Sequence, residues 1–146
     1  MTEQTFSAPP CLYDRDETAW LEQTAALVAQ RRFAEIDHQH LSEYLADMAR
    51  RDKREVMSRL VVLLVHLLKW EQQPQQRTGS WEATIVHQRG ELADLLESGT
   101  LRNHARDVLA KAYRRAAKEA ALQMGTQTGA LPAACPWSLE ELAPEE

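Results

Sequence analysis

The chain has 146 residues, of which 44% are hydrophobic and 27% are charged, and its formal net charge is −5. This length is sufficient for one domain with a core of its own, and the composition excludes wholesale disorder. Because the acidic tail from Glu140 to Glu146 supplies four of the negative charges, the rest of the chain is close to neutral, which gives no general reason to expect nucleic acid or an anionic membrane as a partner.

Residues 1–13 contain two prolines and no helical period, which predicts a loose arm that becomes ordered only near Leu12 and Tyr13. The arm lacks the basic region and apolar core of a secretory signal, and no other segment is long enough to cross a bilayer, so we expect a cytoplasmic protein. Cys11 and Cys135 match no metal-binding spacing and stand near opposite ends of the chain. Two free thiols in a reducing compartment are favoured over a disulfide.

Helical periodicity begins after this arm. Asp14 or Asp16 can cap a first helix, on which Trp20 is the expected core anchor. Asp37 can cap a second helix, whose apolar face consists of Leu41, Tyr44, Leu45 and Met48.

The junction between the second helix and the next contains Asp52 followed by Glu55, a spacing that resembles a capping box. This pattern favours a break or kink near residues 50–52. Without the break, one helix of more than thirty residues would run from His38 to Gln73.

The central stretch Arg59 to Trp70, RLVVLLVHLLKW, is apolar on more than one side of a helical wheel. Such a helix must touch several neighbours, so we place it in the middle of a bundle. Pro74 ends it, Ser80 can cap the following helix, and Thr100 can cap a last, alanine-rich helix that stops at Gly125.

The predicted fold is therefore all-α, a single helical bundle of about five helices over residues 14–125. Residues 126–146 contain three prolines and predict an extended C-terminal strap with one helical turn at Ser138 to Glu141. Trp137 could fasten this strap to the bundle.

Several motifs in this order resemble a bacterial family catalogued as domain of unknown function number 29. The motifs are YDRDETAW at 13–20, LLVHLLKW at 63–70, SWEATIVHQR at 80–89 and CPWSLEEL at 135–142, with Pro74 and Arg77 between the second and third. The resemblance implies an all-helical bacterial protein and carries no established activity. This chain departs from the family pattern on the second helix, where it keeps Glu43 and Asp47 but has Tyr44, Ala46 and Ala49 where relatives are more acidic or have a glycine.

His66 is the one titratable group in the middle of the apolar run, beside Arg59 and Trp70. One interpretation is a buried histidine whose hydrogen bond to a carboxylate of the second helix or to a tyrosine holds helices in register. The other is a functional pocket formed by His66, Trp70, Arg59, Glu43 and Asp47, because neutral histidine is both a metal ligand and an acid or base near pH 7.

His40, Glu43 and Asp47 share one face of the second helix, which is either a solvated charged face or part of a divalent metal site. A metal site needs a ligand from another helix, and His66 is the best donor, with His87 second. The predicted ligand set is His66, His40, Glu43 and Asp47.

The basic run at the helix junction consists of Arg50, Arg51, Lys53 and Arg54. Cations are favoured in the last turn of a helix, which explains at least the first two residues. A composite anion or nucleic-acid patch with Arg31, Arg32, Arg114, Arg115 and Lys118 is the alternative. Near-neutral charge and the absence of interleaved aromatic residues argue against nucleic acid.

No nucleophile elbow, P-loop, dinucleotide fingerprint or HExxH motif occurs in the chain, so the sequence leaves open whether the protein is an enzyme. The leading hypothesis is a module that binds another protein or itself. The alternatives are a metal binder or metal-dependent enzyme centred on His66 with Glu43 and Asp47, and a weak nucleic-acid binder using the Arg50–Arg54 region.

Overall fold

A computed structural model describes residues 11–145 and, in this range, contains helices and no strand, which confirms the all-α prediction. The α-helices are α1 (Leu12–Arg15), α2 (Glu17–Ala29), α3 (His38–Gln72), α4 (Gly79–Leu95), α5 (Gly99–Met124) and α6 (Leu139–Leu142). Three short 3-10 helices occur at Phe33–Glu35, Pro74–Gln76 and Thr128–Ala130. The predicted arm lies outside the described residues up to position 10. Among the helices of residues 11–145, none combines the length and the apolar character that a membrane-crossing helix requires.

The predicted break near residues 50–52 is wrong, because α3 continues through this region as one helix of 35 residues. The segment 49–55 contains mostly strong helix formers and neither glycine nor proline. Glu55 does not fold back on a preceding backbone amide as a capping residue would. Its carboxylate instead accepts a hydrogen bond from Arg59 Nε at 2.9 Å, one turn further along the helix.

The chain divides into two compact units, residues 1–48 and 49–146. In the described part of the first unit, Asp16 caps α2 by accepting a hydrogen bond from the Ala19 amide at 3.0 Å. Trp20 is only 4% exposed, and the rings of Tyr13 and Tyr44 meet it edge-on at centroid distances of 4.9 and 5.9 Å. The prediction that Trp20 anchors this region is confirmed.

The apolar face predicted for the second helix is only partly correct. Leu41 and Tyr44 are half-buried, whereas Leu45 is 59% exposed and Met48 is 37% exposed. In its described residues, 11–48, the first unit has the helices α1 and α2 and one 3-10 helix to cover this end of α3. Sequence periodicity marks a face that can be buried, but it does not supply the neighbour that buries it.

The second unit has a core built around the carboxyl-terminal half of α3. Leu63, Leu64 and Val65 follow one another on the helix and all are buried, so this segment is covered on several sides as predicted. Its largest fully buried side chains are Val56, Leu60, Leu63, Leu64, Val65, Leu68, Leu92 and Leu142. The helix α5 contributes mainly alanines, among them Ala105, Ala112, Ala116 and Ala120, which permit a close approach of its backbone to the core.

Side-chain caps mark the first residues of α4 and α5 in the second unit. Each cap lies two residues before the one that the sequence predicts. Thr78 caps α4 by accepting a hydrogen bond from the Trp81 amide, and Ser98 caps α5 by accepting one from the Leu101 amide. Ser80 and Thr100, the predicted caps, are the second residues of their helices. Gly125 ends α5 with a left-handed φ of 65°, as expected for a glycine at this position.

The C-terminal segment belongs to the second unit and packs against its helices. Tyr113 on α5 donates a hydrogen bond to the Pro132 carbonyl at 2.5 Å, and Trp137 packs against the hydrophobic core. Ser138 caps α6, which confirms the predicted helical turn. Cys11 and Cys135 are both free thiols, as the sequence favoured.

The alanine surface of α5 predicts a strong asymmetry between its two sides. Ala116→Leu would place three extra carbon atoms where the side chain is fully buried, and we expect it to lower the free energy of unfolding by about 1–3 kcal/mol. Ala110→Leu is the matched control, because Ala110 is exposed on the same helix and should change the stability by less than about 0.5 kcal/mol. Urea denaturation of both variants measures the difference, and equal stabilities would contradict the close packing of α5.

Candidate functional sites

A basic groove runs between α3 and α5 in the second unit. Its cavity volume is about 530 Å³, and it is lined by Arg50, Lys53, Arg54, Met57, His104, Val108, Lys111 and Arg115. The α5 residues fall at successive helical turns, so the groove follows the helix for roughly 16 Å. Half-buried Met57 and Val108 contribute apolar surface between the two cationic helix faces.

No carboxylate lines the basic groove in the described part of the chain. Lys53, Arg54, Lys111 and Arg115 are exposed, and within residues 11–145 no ion pair or side-chain hydrogen bond engages them. These four side chains therefore present unneutralised positive charge to any molecule that enters the groove.

The continuity of α3 removes one explanation for this charge. Cations at residues 50–54 were attributed in part to the last turn of a helix, but these residues lie in the middle of α3. The favourable effect of a helix dipole on cations is confined to the last turn. Of the α5 cations considered with them, Arg115 lines the groove, whereas Arg114 and Lys118 do not.

A second cluster lies in the first unit and consists of Cys11, Asp14 and His40. The thiol of Cys11 donates a hydrogen bond to Asp14 Oδ2 at 3.2 Å, and its Sγ atom lies 4.0 Å from His40 Nδ1. Each of the three residues offers one possible ligand atom, and these three atoms all lie within 4.8 Å of one another. Sulfur, nitrogen and carboxylate oxygen are the three donor types that zinc accepts.

His40 is held in this cluster from two sides. Its ring stacks on Tyr13 with a centroid distance of 4.4 Å, and its Nδ1 atom lies 2.5 Å from Asp37 Oδ2. The hydrogen bond with Asp37 raises the pKa of His40, and the same hydrogen bond lowers the pKa of Asp37. Asp37 also accepts from the His40 backbone amide at 3.2 Å, which makes it the cap of α3 that the sequence predicts.

His66 has a local partner. Its Nδ1 atom lies 2.8 Å from the carbonyl oxygen of Val62, one turn earlier in α3, and the side chain is half-buried. The partner is therefore the backbone of the same helix, and not the carboxylate or tyrosine expected of a buried histidine that holds two helices in register.

The neighbours predicted for His66 have partners of their own. Arg59 binds Glu55 at 2.9 Å, Gln88 at 3.2 Å and Glu91 at 3.5 Å, so it connects α3 to α4. The guanidinium carbon of Arg77 lies 4.6 Å from the centroid of the Trp70 ring. In addition, Arg77 Nε donates a hydrogen bond to the Trp70 carbonyl oxygen.

Glu43 and Asp47 belong to the first unit, and both are exposed. Asp47 and His66 are separated by roughly five turns of the uninterrupted α3, which is too far for two side chains of one helix to bind the same ion. Of the predicted ligands, only His40 belongs to the close-set group formed with Cys11 and Asp14.

Sequence reasoning missed Cys11 and Asp14 because their partner stands on another helix. The two residues are three positions apart, but His40 follows only after α2 and a 3-10 helix, and no short motif spans such a distance. A signal was available in the residue types, since a cysteine, an aspartate and a histidine in one small region are a potential ligand set.

One family model matches the chain, over residues 12–146, and its description is domain of unknown function DUF29. This match confirms the resemblance seen in the order of the sequence motifs. No curated protein and no solved structure matches the chain.

The pair formed by His40 and Asp37 predicts a measurable titration. In the metal-free protein the NMR titration midpoint of His40 should lie above its ordinary value of 6.5, and Asp37→Asn should lower it, because the neutral amide cannot stabilise the imidazolium. Asparagine keeps the side-chain oxygen that caps α3. The Glu43→Gln control should lower the midpoint less, since Glu43 acts on His40 only through space.

The same pair predicts the direction of a stability change with pH. Because the pKa of His40 is raised on folding, its contribution to stability is present below 6.5 and is lost as the pH rises through the raised value. The stability difference between the wild type and Asp37→Asn should therefore shrink as the pH rises through that value. A difference that grows over this range would contradict the pairing.

Proposed function

The chain belongs to the DUF29 family, whose function is uncharacterised, and we propose that it is a protein-interaction module that binds an acidic, amphipathic segment of a partner protein in the basic groove. The observation that carries this proposal is the set of four exposed cations, Lys53, Arg54, Lys111 and Arg115, which have no acidic partner within residues 11–145. Two helices with an apolar floor between them are a common receptor for an amphipathic helix.

The chemistry of the groove defines the expected partner segment. An apolar side chain of the partner would rest on Met57 and Val108, and carboxylates on both sides of it would reach the cations of α3 and α5. Apolar contact at the centre supplies burial, and charge complementarity at the edges supplies orientation and rapid association. The groove length of roughly three helical turns suits a partner helix of similar length.

A protein segment is favoured over nucleic acid by the rest of the chain. The formal net charge is −5, and among the described residues no Phe, Tyr or Trp lines the groove, so the large aromatic platforms typical of base stacking are missing there. We place the module in the cytoplasm of a bacterial cell, where the thiols of Cys11 and Cys135 would remain reduced.

Charge reversal inside and outside the groove tests the proposal. The probe is a synthetic amphipathic helix of about four turns with leucines on one face and glutamates beside them. The double variant Lys111→Glu/Arg115→Glu should weaken its binding by at least about tenfold, because both cations line the groove. Arg114→Glu/Lys118→Glu makes the same change of charge on the same helix but outside the groove, and should weaken binding less than about threefold.

Calorimetry or fluorescence anisotropy at two salt concentrations gives the affinities. A lysine-containing version of the peptide should not bind, and binding of the glutamate peptide should weaken with salt. Equal losses in the two double variants would refute a groove-specific site. Tighter binding of single-stranded RNA or duplex DNA than of the peptide, with the same variant pattern, would replace the protein partner by nucleic acid.

A further inference from the structure

We propose that Cys11, Asp14 and His40 form a zinc-binding site in the first unit. Cys11 directly precedes α1, Asp14 lies within α1 and His40 lies in the first turn of α3. The site therefore depends on the fold of the first unit and is independent of the basic groove. A thiolate, an imidazole and a carboxylate together favour a borderline divalent ion such as Zn²⁺ over Mg²⁺ or Ca²⁺, which prefer oxygen ligands alone.

The distances between the donor atoms suit one shared ion. Tetrahedral zinc, at about 2.3 Å from sulfur and about 2.1 Å from nitrogen and oxygen, keeps its ligand atoms roughly 3.5 Å apart. Cys11 Sγ lies 3.2 Å from Asp14 Oδ2 and 4.0 Å from His40 Nδ1, which brackets that separation. The donor atoms of Asp14 and His40 lie within 4.8 Å of each other, so these two side chains would move closer together when the three ligands close around an ion.

The surroundings of His40 restrict its ring. Stacking on Tyr13 holds the imidazole close to Cys11 without an ion, and this contact does not involve the ring nitrogens. A ligand that is already oriented loses less conformational freedom on binding than a mobile one. Asp37 stands beside the Nδ1 atom of His40, so an ion bound there would replace the hydrogen bond between His40 and Asp37 and leave the Asp37 carboxylate next to the metal.

Zinc binding at this site releases protons. Cys11 loses its thiol proton to solvent, and the metal takes the place of that proton between Sγ and the Asp14 carboxylate. The histidine binds as a neutral imidazole, so any proton on the ligating nitrogen is also released. Three protein ligands leave a fourth position of the tetrahedron for water or for a further ligand.

The test uses the full chain, purified without a metal-affinity tag, with Zn²⁺ and Co²⁺ as probes. We expect one equivalent of either ion to bind at a Kd of about 10 µM or tighter. Bound Co²⁺ should show a thiolate-to-cobalt charge-transfer band, which only sulfur ligation produces. Cys11→Ser should abolish the band and weaken binding by about a hundredfold, and His40→Gln should weaken binding to a similar extent.

Cys135→Ser is the matched control, because it removes the other thiol of the chain. The Cys135 thiol lies in the second unit and donates a hydrogen bond to the Trp137 carbonyl. This variant should retain both the charge-transfer band and the affinity for the metal. Far-UV circular dichroism checks that each variant is folded, and Cys11→Ser decides the result if His40→Gln does not fold. Substoichiometric binding by the wild type, equal affinity of wild type and Cys11→Ser, or loss of the band in Cys135→Ser would each overturn the proposal. Because the first unit carries this site, its failure would leave the peptide binding of the groove unaffected.

Discussion

The structure depends on the burial of the carboxyl-terminal half of α3. From Val56 to Leu68 this helix has apolar side chains on several sides, and Leu63, Leu64 and Val65 are all removed from water. A single neighbouring helix can cover only one face, so the chain must supply several surfaces around it. The alanines of α5 allow one close approach, and the C-terminal segment adds Leu131, Leu139 and Leu142. Arg102 fixes that segment, since its guanidinium donates to the Leu96 and Ala143 carbonyls and pairs with Glu145 at 3.3 Å.

Sequence patterns predicted the helix ends and the anchor of the first unit well, because each signal was local. Pro74 removes a helix donor, Gly125 adopts a left-handed conformation and Trp20 is large enough to require burial wherever its helix lies. The pattern Asp52-x-x-Glu55 misled for a physical reason. A capping box competes with helix continuation, and within a run of strong helix formers continuation is favoured, so the same two residues became ordinary interior positions.

The candidate sites were harder to predict because each joins residues that are distant along the chain. The basic run from Arg50 to Arg54 is visible in the sequence. Which cations of α5 face this run depends on the rotation of α5 about its own axis. Of the lysines and arginines on α5, Lys111 and Arg115 line the groove. Likewise, His40 was singled out for a metal with Glu43 and Asp47, its neighbours on one helix face. The fold brings Cys11 and Asp14 to it instead.

The groove also has an energetic implication for how the protein works. Like charges on two packed helices repel each other, and in most folds an interspersed carboxylate or a helix end reduces that repulsion. The helix end does not act on Lys53 and Arg54, because they lie in the interior of α3, and among the described residues no carboxylate lines the groove. Under the proposed function, an acidic partner that enters the groove would relieve this repulsion. The positive charge of the groove would therefore both oppose the packing of α3 against α5 and favour an acidic partner.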